Sequence, residues 1–420
     1  MHIDFEQYYL NNGLRVILHE DRKAPVVAIN IWYNVGSKHE EIGRTGFAHL
    51  FEHMMFQGSQ HVPPDMHFQM IQSAGGTLNG STFFDRTNFF EMLPSHFLEM
   101  GLWLEADRMG FFLPALNQDK FDRQREVVKN ERRQRVDNVP YGTWFEKMLE
   151  RAYPADFPYH WPVIGYMEDL DKAILEDVKQ FFKMYYAPDN ASLVVAGDIT
   201  IEKTKKMIER YFASIPKGHN RPQKTFRFDG FNLGEKTTKV KDNVQLPRLY
   251  IGYHIPGFGR QQTYRADLLS DILSNGHSAR LYRSLVYQKQ LAQDAQAFIL
   301  PLKETSLFLL VVTAKPDISL DVLHEEVQRE IDQLRQGNIN DHEIQRAKNQ
   351  IEAQKLREKQ SVTSKADNLN LYAVYFDNPA LINSEFKFYE SITKKELQKT
   401  AEDFLSIDNR IVLTFIPQNH

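Results

Sequence analysis

Two rhythms of hydrophobic positions run through this 420-residue chain. Short continuous apolar runs, Leu193-Val-Val-Ala196 and Leu307-Phe-Leu-Leu-Val-Val312 among them, have the length and β-branched content of buried strands. Longer stretches such as Asp321 to Arg335 space their apolar residues three and four apart and predict amphipathic helices. The same spacing recurs in Phe47-Ala-His-Leu-Phe-Glu-His-Met-Met-Phe56, where Phe47, Leu50, Phe51 and Met54 would share one buried face. Asp119 to Gln134, highly charged and free of Gly and Pro, predicts a further helix on which Gln124, Val127, Val128, Glu131 and Arg135 share a face.

The pattern also repeats. Pro25-Val-Val-Ala-Ile-Asn-Ile-Trp-Tyr-Asn-Val-Gly36 is echoed by Pro247-Arg-Leu-Tyr-Ile-Gly-Tyr-His-Ile-Pro-Gly257, and the segment around Asn190 by the segment around Asn409. Between the copies, Ile215-Pro-Lys-Gly-His-Asn-Arg-Pro-Gln-Lys224 has two prolines, a glycine and no periodicity, the composition of a linker. A first domain over residues 1–214, a linker over 215–236 and a second, homologous domain over 237–420 are therefore expected. Strand runs alternating with helical stretches imply an α+β fold of two homologous halves, each a mainly antiparallel sheet with helices packed on one side.

On the helix predicted for residues 47–56, the face left by the apolar stripe carries His49, Glu52 and His53. Four residues of spacing turn the two imidazoles to one side about one turn apart, with Glu52 beside them. This is half of a zinc site with its own base; the plain alternative is a helix with two ordinary, partly buried histidines, and 15 His in the chain make a chance match a real competitor. A zinc site also needs a third protein ligand and an open position. Glu131, a carboxylate among apolar neighbours, is the candidate, whereas Glu126 reads as a solvated partner for nearby Arg and Lys. Without the histidine pair, Glu131 too would read as surface charge.

The order H-x-x-E-H is similar to the inverzincin signature, and the chain resembles the pitrilysin, insulinase and mitochondrial processing peptidase family. In that family a glutamate well downstream of the second histidine completes the site, and Glu131, 78 residues after His53, stands at that spacing. Asn12-Gly-Leu-Arg-Val-Ile-Leu-His19 resembles the family's first strand, and Gly36-Ser37 with Gly46-Phe-Ala-His49 its approach to the metal helix. Arg125-Glu-Val-Val-Lys-Asn-Glu-Arg-Arg133 resembles its third-ligand helix, and Gly75-Gly-Thr-Leu-Asn-Gly-Ser-Thr82 its substrate-binding edge strand. The resemblance implies one Zn2+ per chain, held by His49, His53 and Glu131, with Glu52 as the general base of peptide hydrolysis. It also implies that an extended peptide adds to the edge strand by backbone hydrogen bonds, with Asn79, Gly80 and Thr82 as substrate-binding residues. On pattern alone, Thr77 to Phe83 reads equally as a plain hairpin strand.

Aligning Gly58 with Gly276 sets Asp267, Ser270 and Asp271 opposite His49, Glu52 and His53, so the second half is expected to carry no metal. Family members with the whole site on one chain have an Arg and a Tyr seven residues apart in the later half, which help bind substrate and stabilise the oxyanion; Val286 and Gln293 stand at those positions here. That departure has two readings: Arg283 or Tyr287 substitutes from a nearby turn, which a shift of three or one helical positions disfavours, or, as the resemblance implies, the chain is the two-domain, bacterial-type, zinc-bearing chain of a heterodimeric peptidase, completed by a paralogous subunit or, as a homodimer, by a second copy. A reading of a different class is a non-catalytic structural or assembly subunit of the same fold. Retention of His49, Glu52, His53 and Glu131 favours the peptidase.

Composition narrows what remains. With 51 basic and 55 acidic residues the net charge is −4, so nucleic acid is not an expected partner. The chain has no cysteine, which leaves His and carboxylates as the side chains to hold a metal. Met1-His-Ile-Asp-Phe-Glu-Gln7 lacks the basic and apolar segments of a signal peptide, and no apolar run reaches membrane-spanning length. A cytoplasmic chain without a membrane partner is expected, periplasmic if an export signal has been removed.

Overall fold

The computed structural model describes residues 2–218, 221, 226–228, 230–231 and 234–418. Much of the linker expected over 215–236, namely 219–220, 222–225, 229 and 232–233, lies outside the described residues. Six strands, β1 (Glu6–Tyr9), β2 (Arg15–Glu20), β3 (Val26–Tyr33), β4 (Thr77–Thr82), β5 (Thr87–Pro94) and β6 (Ala191–Gly197), form one sheet in the order β1-β2-β6-β3-β5-β4. Five more, β7 (Lys236–Asp242), β8 (Arg248–Pro256), β9 (Ala292–Leu300), β10 (Thr305–Ala314) and β11 (Arg410–Pro417), form a second in the order β7-β11-β8-β10-β9.

The sequence echo is an echo of topology. In the first sheet β2 and β6 are parallel and the β6-β3-β5-β4 steps antiparallel. In the second, β7 and β11 are parallel and the β11-β8-β10-β9 steps antiparallel. The repeated asparagines do the same work in both: Asn190 Nδ2 donates to Tyr185 O and Asn409 Nδ2 to Phe404 O, each at 2.7 Å, tying a strand start to the end of the preceding helix.

The two sheets head two compact units, and neither unit is one unbroken stretch of chain. The first comprises residues 1–132, 161–225 and 356–384; the second comprises 133–160, 226–355 and 385–420. In the first unit Val27, Ile29, Ile31, Leu193 and Val195 face a helical core that includes Leu50, Leu102, Val178 and Ile208. The alternate residues Ile17, Ala28, Val194 and Ala196 are also buried, against Ala366, Leu369, Tyr372 and Ala373 of the helix Val362–Phe376. A helix from late in the chain therefore covers the other face of the first sheet. Burial on both faces is why β6 reads as an unbroken apolar run.

In the second unit the helix Trp144–Ala152 lies on β8, with Trp144 stacked on Tyr250 at 4.7 Å. His254 of β8 is buried among the rings of Tyr153, Phe228 and Phe231. Burial, then the charge of Lys236, pushes its imidazole from 6.5 down to about 3. Across that interval the unfolded chain binds a proton that the folded chain refuses, so His254 contributes stability that is present above pH 6.5 and is lost as the pH falls toward 3. The non-titrating variant His254→Asn is expected to flatten the slope of urea-unfolding free energy against pH in this window. An unchanged slope would assign the acid sensitivity to other groups.

Candidate metal centre

The helix Phe47–Met54 begins where two loops touch. Gly46 has φ 84° and Gly165 φ 76°, and a Cβ on Gly165 would fall 2.4 Å from Gly46 Cα, so glycine is required at this crossing. The free backbone donors at the helix start are met by Glu40, which accepts from Gly46 N at 3.0 Å and Ala48 N at 2.8 Å. Burial pushes the Glu40 carboxyl up to about 8 against those two donors, which favour its anion. Phe47, Ala48, Leu50, Phe51 and Met54 are buried, with Phe51 against the rings of Phe112, Phe182 and Tyr186. The opposite face presents His49, Glu52 and His53, as the spacing predicts.

The helix Gln118–Arg132 packs beside it and supplies Glu131. Glu131 Oε2 lies 3.2 Å from His53 Nε2 and 3.7 Å from His49 Nε2. One ligand atom from each of the three side chains falls within 4.8 Å of the others. The face of this helix is not the expected one: Phe121, Val128 and Arg132 are buried, whereas Val127 is 44% exposed and Arg135 is also exposed. The buried stripe runs through positions 121, 128 and 132, one residue round from Val127, and the chain passes into a π-helical turn at Arg133–Asp137, which breaks the register before Arg135. Arg132 donates to Gly165 O at 2.8 Å and Lys129 pairs with Asp171 at 2.6 Å, fixing the end that carries Glu131. Glu126 pairs with Lys129 at 2.9 Å on the solvent side.

Two imidazole Nε2 atoms and a carboxylate oxygen, carried on two helices, are a donor set that zinc takes from proteins, and the residues present fit it. Glu52 stands beside the set and turns toward β4, where Thr82 Oγ1 donates to Glu52 Oε2 at 2.6 Å. Burial raises the Glu52 carboxyl, while the Thr82 hydroxyl and His53 pull the other way. A Cβ on Gly80 would come within 3.2 Å of Glu52 Cγ and Oε1, so a side chain there would crowd the carboxylate.

β4 is the last strand of its sheet. Phe83 N donates to Arg86 O at 2.8 Å at the turn into β5, and the antiparallel ladder then directs the backbone groups of Leu78, Gly80 and Thr82 to the open edge. Gly80 and Thr82 thus border Glu52. Asn79 projects from the other face of the strand, is exposed, and accepts from Gly80 N through Oδ1 at 2.9 Å. The Thr82–Glu52 bond had no sequence signal beyond the alternation of the strand.

In the second unit, the residues aligned with the metal set are occupied in other ways. Asp267 accepts from Tyr389 Oη at 2.7 Å, Ser270 Oγ donates to Asp267 O at 2.8 Å, and Asp271 accepts from Asn275 Nδ2 at 3.0 Å. Val286 sits in a π-helical segment, Tyr282–Gln288, and packs on that unit's core, while Gln293 is exposed on β9. Among the described residues, the other gathering of possible metal ligands is His67, Glu91 and Glu105, all buried in the first unit. Arg108 already ion-pairs Glu105 there, its guanidinium 4.1 Å from the Phe89 ring centroid and 5.1 Å from that of Phe56. Burial, then the Glu105 charge, holds the Glu91 carboxyl well above its ordinary range, and one proton on Glu91 leaves this core network electrically balanced.

Known proteins extend these observations. A family model described as insulinase (peptidase family M16) matches residues 15–159, and one described as peptidase M16 inactive domain matches residues 172–351. The chain is 30% identical over 407 residues to the zinc protease PqqE of Helicobacter pylori, across 96% of this chain and 89% of that one. It is 19% identical over 408 residues to a probable mitochondrial-processing peptidase subunit beta of Arabidopsis thaliana, across 94% and 75% respectively. The crystal structure of a protease from Helicobacter pylori matches with a TM-score of 0.93 at 28% identity, covering 99% of this chain and 100% of that one. Among the described residues no helix is long and apolar enough to cross a membrane. Similar along nearly its whole length to a zinc protease, this chain belongs to the insulinase family of peptidases, family M16.

Proposed function

We propose that this protein is the zinc-bearing subunit of a peptidase that hydrolyses unfolded peptides, with His49, His53 and Glu131 as metal ligands and Glu52 as general base. The observation that carries this reading is the convergence of three ligand atoms within 4.8 Å, on two helices, with the Glu52 carboxylate adjoining. Bound there, zinc supplies Lewis acidity toward a carbonyl oxygen and lowers the pKa of water toward neutrality. Glu52, oriented by the Thr82 hydroxyl, takes the proton of the attacking water and delivers it to the leaving nitrogen. The open edge at Leu78, Gly80 and Thr82 takes up an extended peptide through backbone hydrogen bonds, which tolerates varied sequences. Asn79 holds the Gly80 N–H until a peptide carbonyl displaces it, and then steadies the peptide backbone.

Oxyanion donors are worth several kcal/mol, about 3–4 by removal of one donor. Val286, packed on its own core, and Gln293 offer no Arg/Tyr pair for that task, so a paralogous chain or a second copy supplies it. The likeness to a protein named as a processing-peptidase beta subunit supports a partnered enzyme. The test measures zinc content and hydrolysis of a quenched peptide by the purified chain, alone and mixed with a paralogue encoded nearby. One zinc per chain, weak turnover alone and strong turnover in the mixture are expected. Full activity from the isolated monomer would remove the partner, and a metal-free, inactive mixture would favour the assembly-subunit alternative.

A further inference from the structure

The strand proposed to receive the peptide is held from both of its faces, and the two holds differ in origin. On the side of Glu52 the clamp is Thr82, bonded to the base itself. On the opposite face the next residue back, Ser81, lies across from Asn88 of β5, and Ser81 Oγ donates to Asn88 Oδ1 at 2.6 Å. Arg86 donates to Ser81 O at 2.8 Å and to Asn88 Oδ1 at 3.3 Å, while its guanidinium lies 5.1 Å from the Trp32 ring centroid. The strand end is thereby tied to an amide and a guanidinium that must each be oriented.

Their orientation comes from the helix Val362–Phe376. A single oxygen, Asp367 Oδ1, accepts from Asn88 Nδ2 at 3.1 Å, from Trp32 Nε1 at 2.9 Å and from Asn30 Nδ2 at 3.1 Å. Binding Nδ2 of Asn88 sets the amide so that its oxygen faces Ser81 and Arg86, and binding the indole sets the plane on which Arg86 stacks. Three donors on one half-buried carboxylate oxygen form a charge-assisted node, stronger than three neutral bonds. The helix is itself anchored: Asn370 donates to Asn30 O at 2.9 Å, and Lys365 ion-pairs Asp21.

We propose that Asp367 is a positioning residue that sets the pitch of β4 for peptide docking, acting through Asn88, Trp32, Ser81 and Arg86. The inference rests on the peptidase reading for its consequence and on the node alone for its structure. Loss of the node frees Asn88 to rotate and lets the end of β4 shift relative to β5, which misplaces the open-edge groups of Gly80 and Thr82. Metal ligation is untouched, because both helices that carry the ligands lie on the other face of the sheet.

Asp367→Ala and Asp367→Asn separate this role from general support of the fold, since Asn retains an acceptor oxygen. With a quenched peptide and zinc-loaded full chain, in the presence of its partner if one is required, Asp367→Ala is expected to raise KM about tenfold. A kcat within about threefold of the parent and unchanged zinc content are expected with it, and Asp367→Asn should restore most of the KM. Kinetics equal to the parent, or kcat and zinc content falling together, would overturn the proposal. Hydrogen exchange decides independently of activity: the amides of Asn79 and Ser81 should lose protection in Asp367→Ala while those of β3 and β6 keep theirs, and retained protection at β4 would overturn it. A parent chain without peptidase activity would instead count against the peptidase reading and leave the exchange result to judge the node.

Discussion

Glu52→Gln is expected to bind zinc like the parent and to lose turnover, with kcat/KM falling about 10²–10⁴-fold, the usual contribution of a general base. Gln at this position keeps an oxygen that can accept from Thr82 Oγ1, so the contact with β4 survives. What disappears is basicity, because an amide does not take a proton from water at neutral pH. The proposed metal set is a separate group of atoms, Nε2 of His49 and His53 with Oε2 of Glu131, and zinc content should be unchanged. The measurement is paired: metal analysis of the purified variant, and initial rates with a quenched peptide. A variant that retains parental turnover would take the base role away from Glu52; a variant that loses its zinc would mean that the side chain acts in metal retention instead.

The largest effect on stability is expected at Arg108, away from the chemistry. Arg108→Ala should destabilise the protein by about 3–5 kcal/mol, the range for breaking a buried charge pair by removing one partner. The reason is the company that Glu105 would be left in. It is 2% exposed, adjoins Glu91 and His67, and has Arg108 as its counter-charge. The guanidinium also fills the space over Phe89 and Phe56, so truncation removes packing as well. Glu91→Gln is the contrasting variant: a neutral amide replaces a carboxyl that burial pushes toward its neutral form, and stability should stay within about 1 kcal/mol, the size of one net hydrogen bond. Urea unfolding of the two variants at neutral pH tests the pair. A severe loss in Glu91→Gln would mean that Glu91 is ionised in the folded protein.

Much of this protein is legible in one dimension. The strand and helix periods, the echo of Pro25 by Pro247 and of Asn190 by Asn409, and the two-sheet architecture follow from patterns that repeat over a few residues. His49, Glu52 and His53 share a helix, and helix geometry converts their spacing into a common face without help from the rest of the chain. The buried face of the Glu131 helix was less legible. Charged residues outnumber apolar ones there, so the pattern puts Val127 and Val128 on one face, and packing buries Val128 alone.

Sequence by itself therefore determined the elements, the repeat and the shared face of His49, Glu52 and His53, because each depends on neighbours within a turn of helix or a stretch of strand. Glu131 could be named from the sequence, but only tertiary structure brought its carboxylate to 3.2 Å from His53. The Thr82–Glu52 bond and the Asp367 node were decided by tertiary structure outright. Asp367 meets Trp32 across 335 residues of chain, in a helix from the later part of the sequence that covers the first sheet. Such a contact leaves no local period to read: a polar residue on an amphipathic helix looks the same whether it faces water or an indole N–H. Its partner is settled only when apolar faces on both sides of the sheet are buried together.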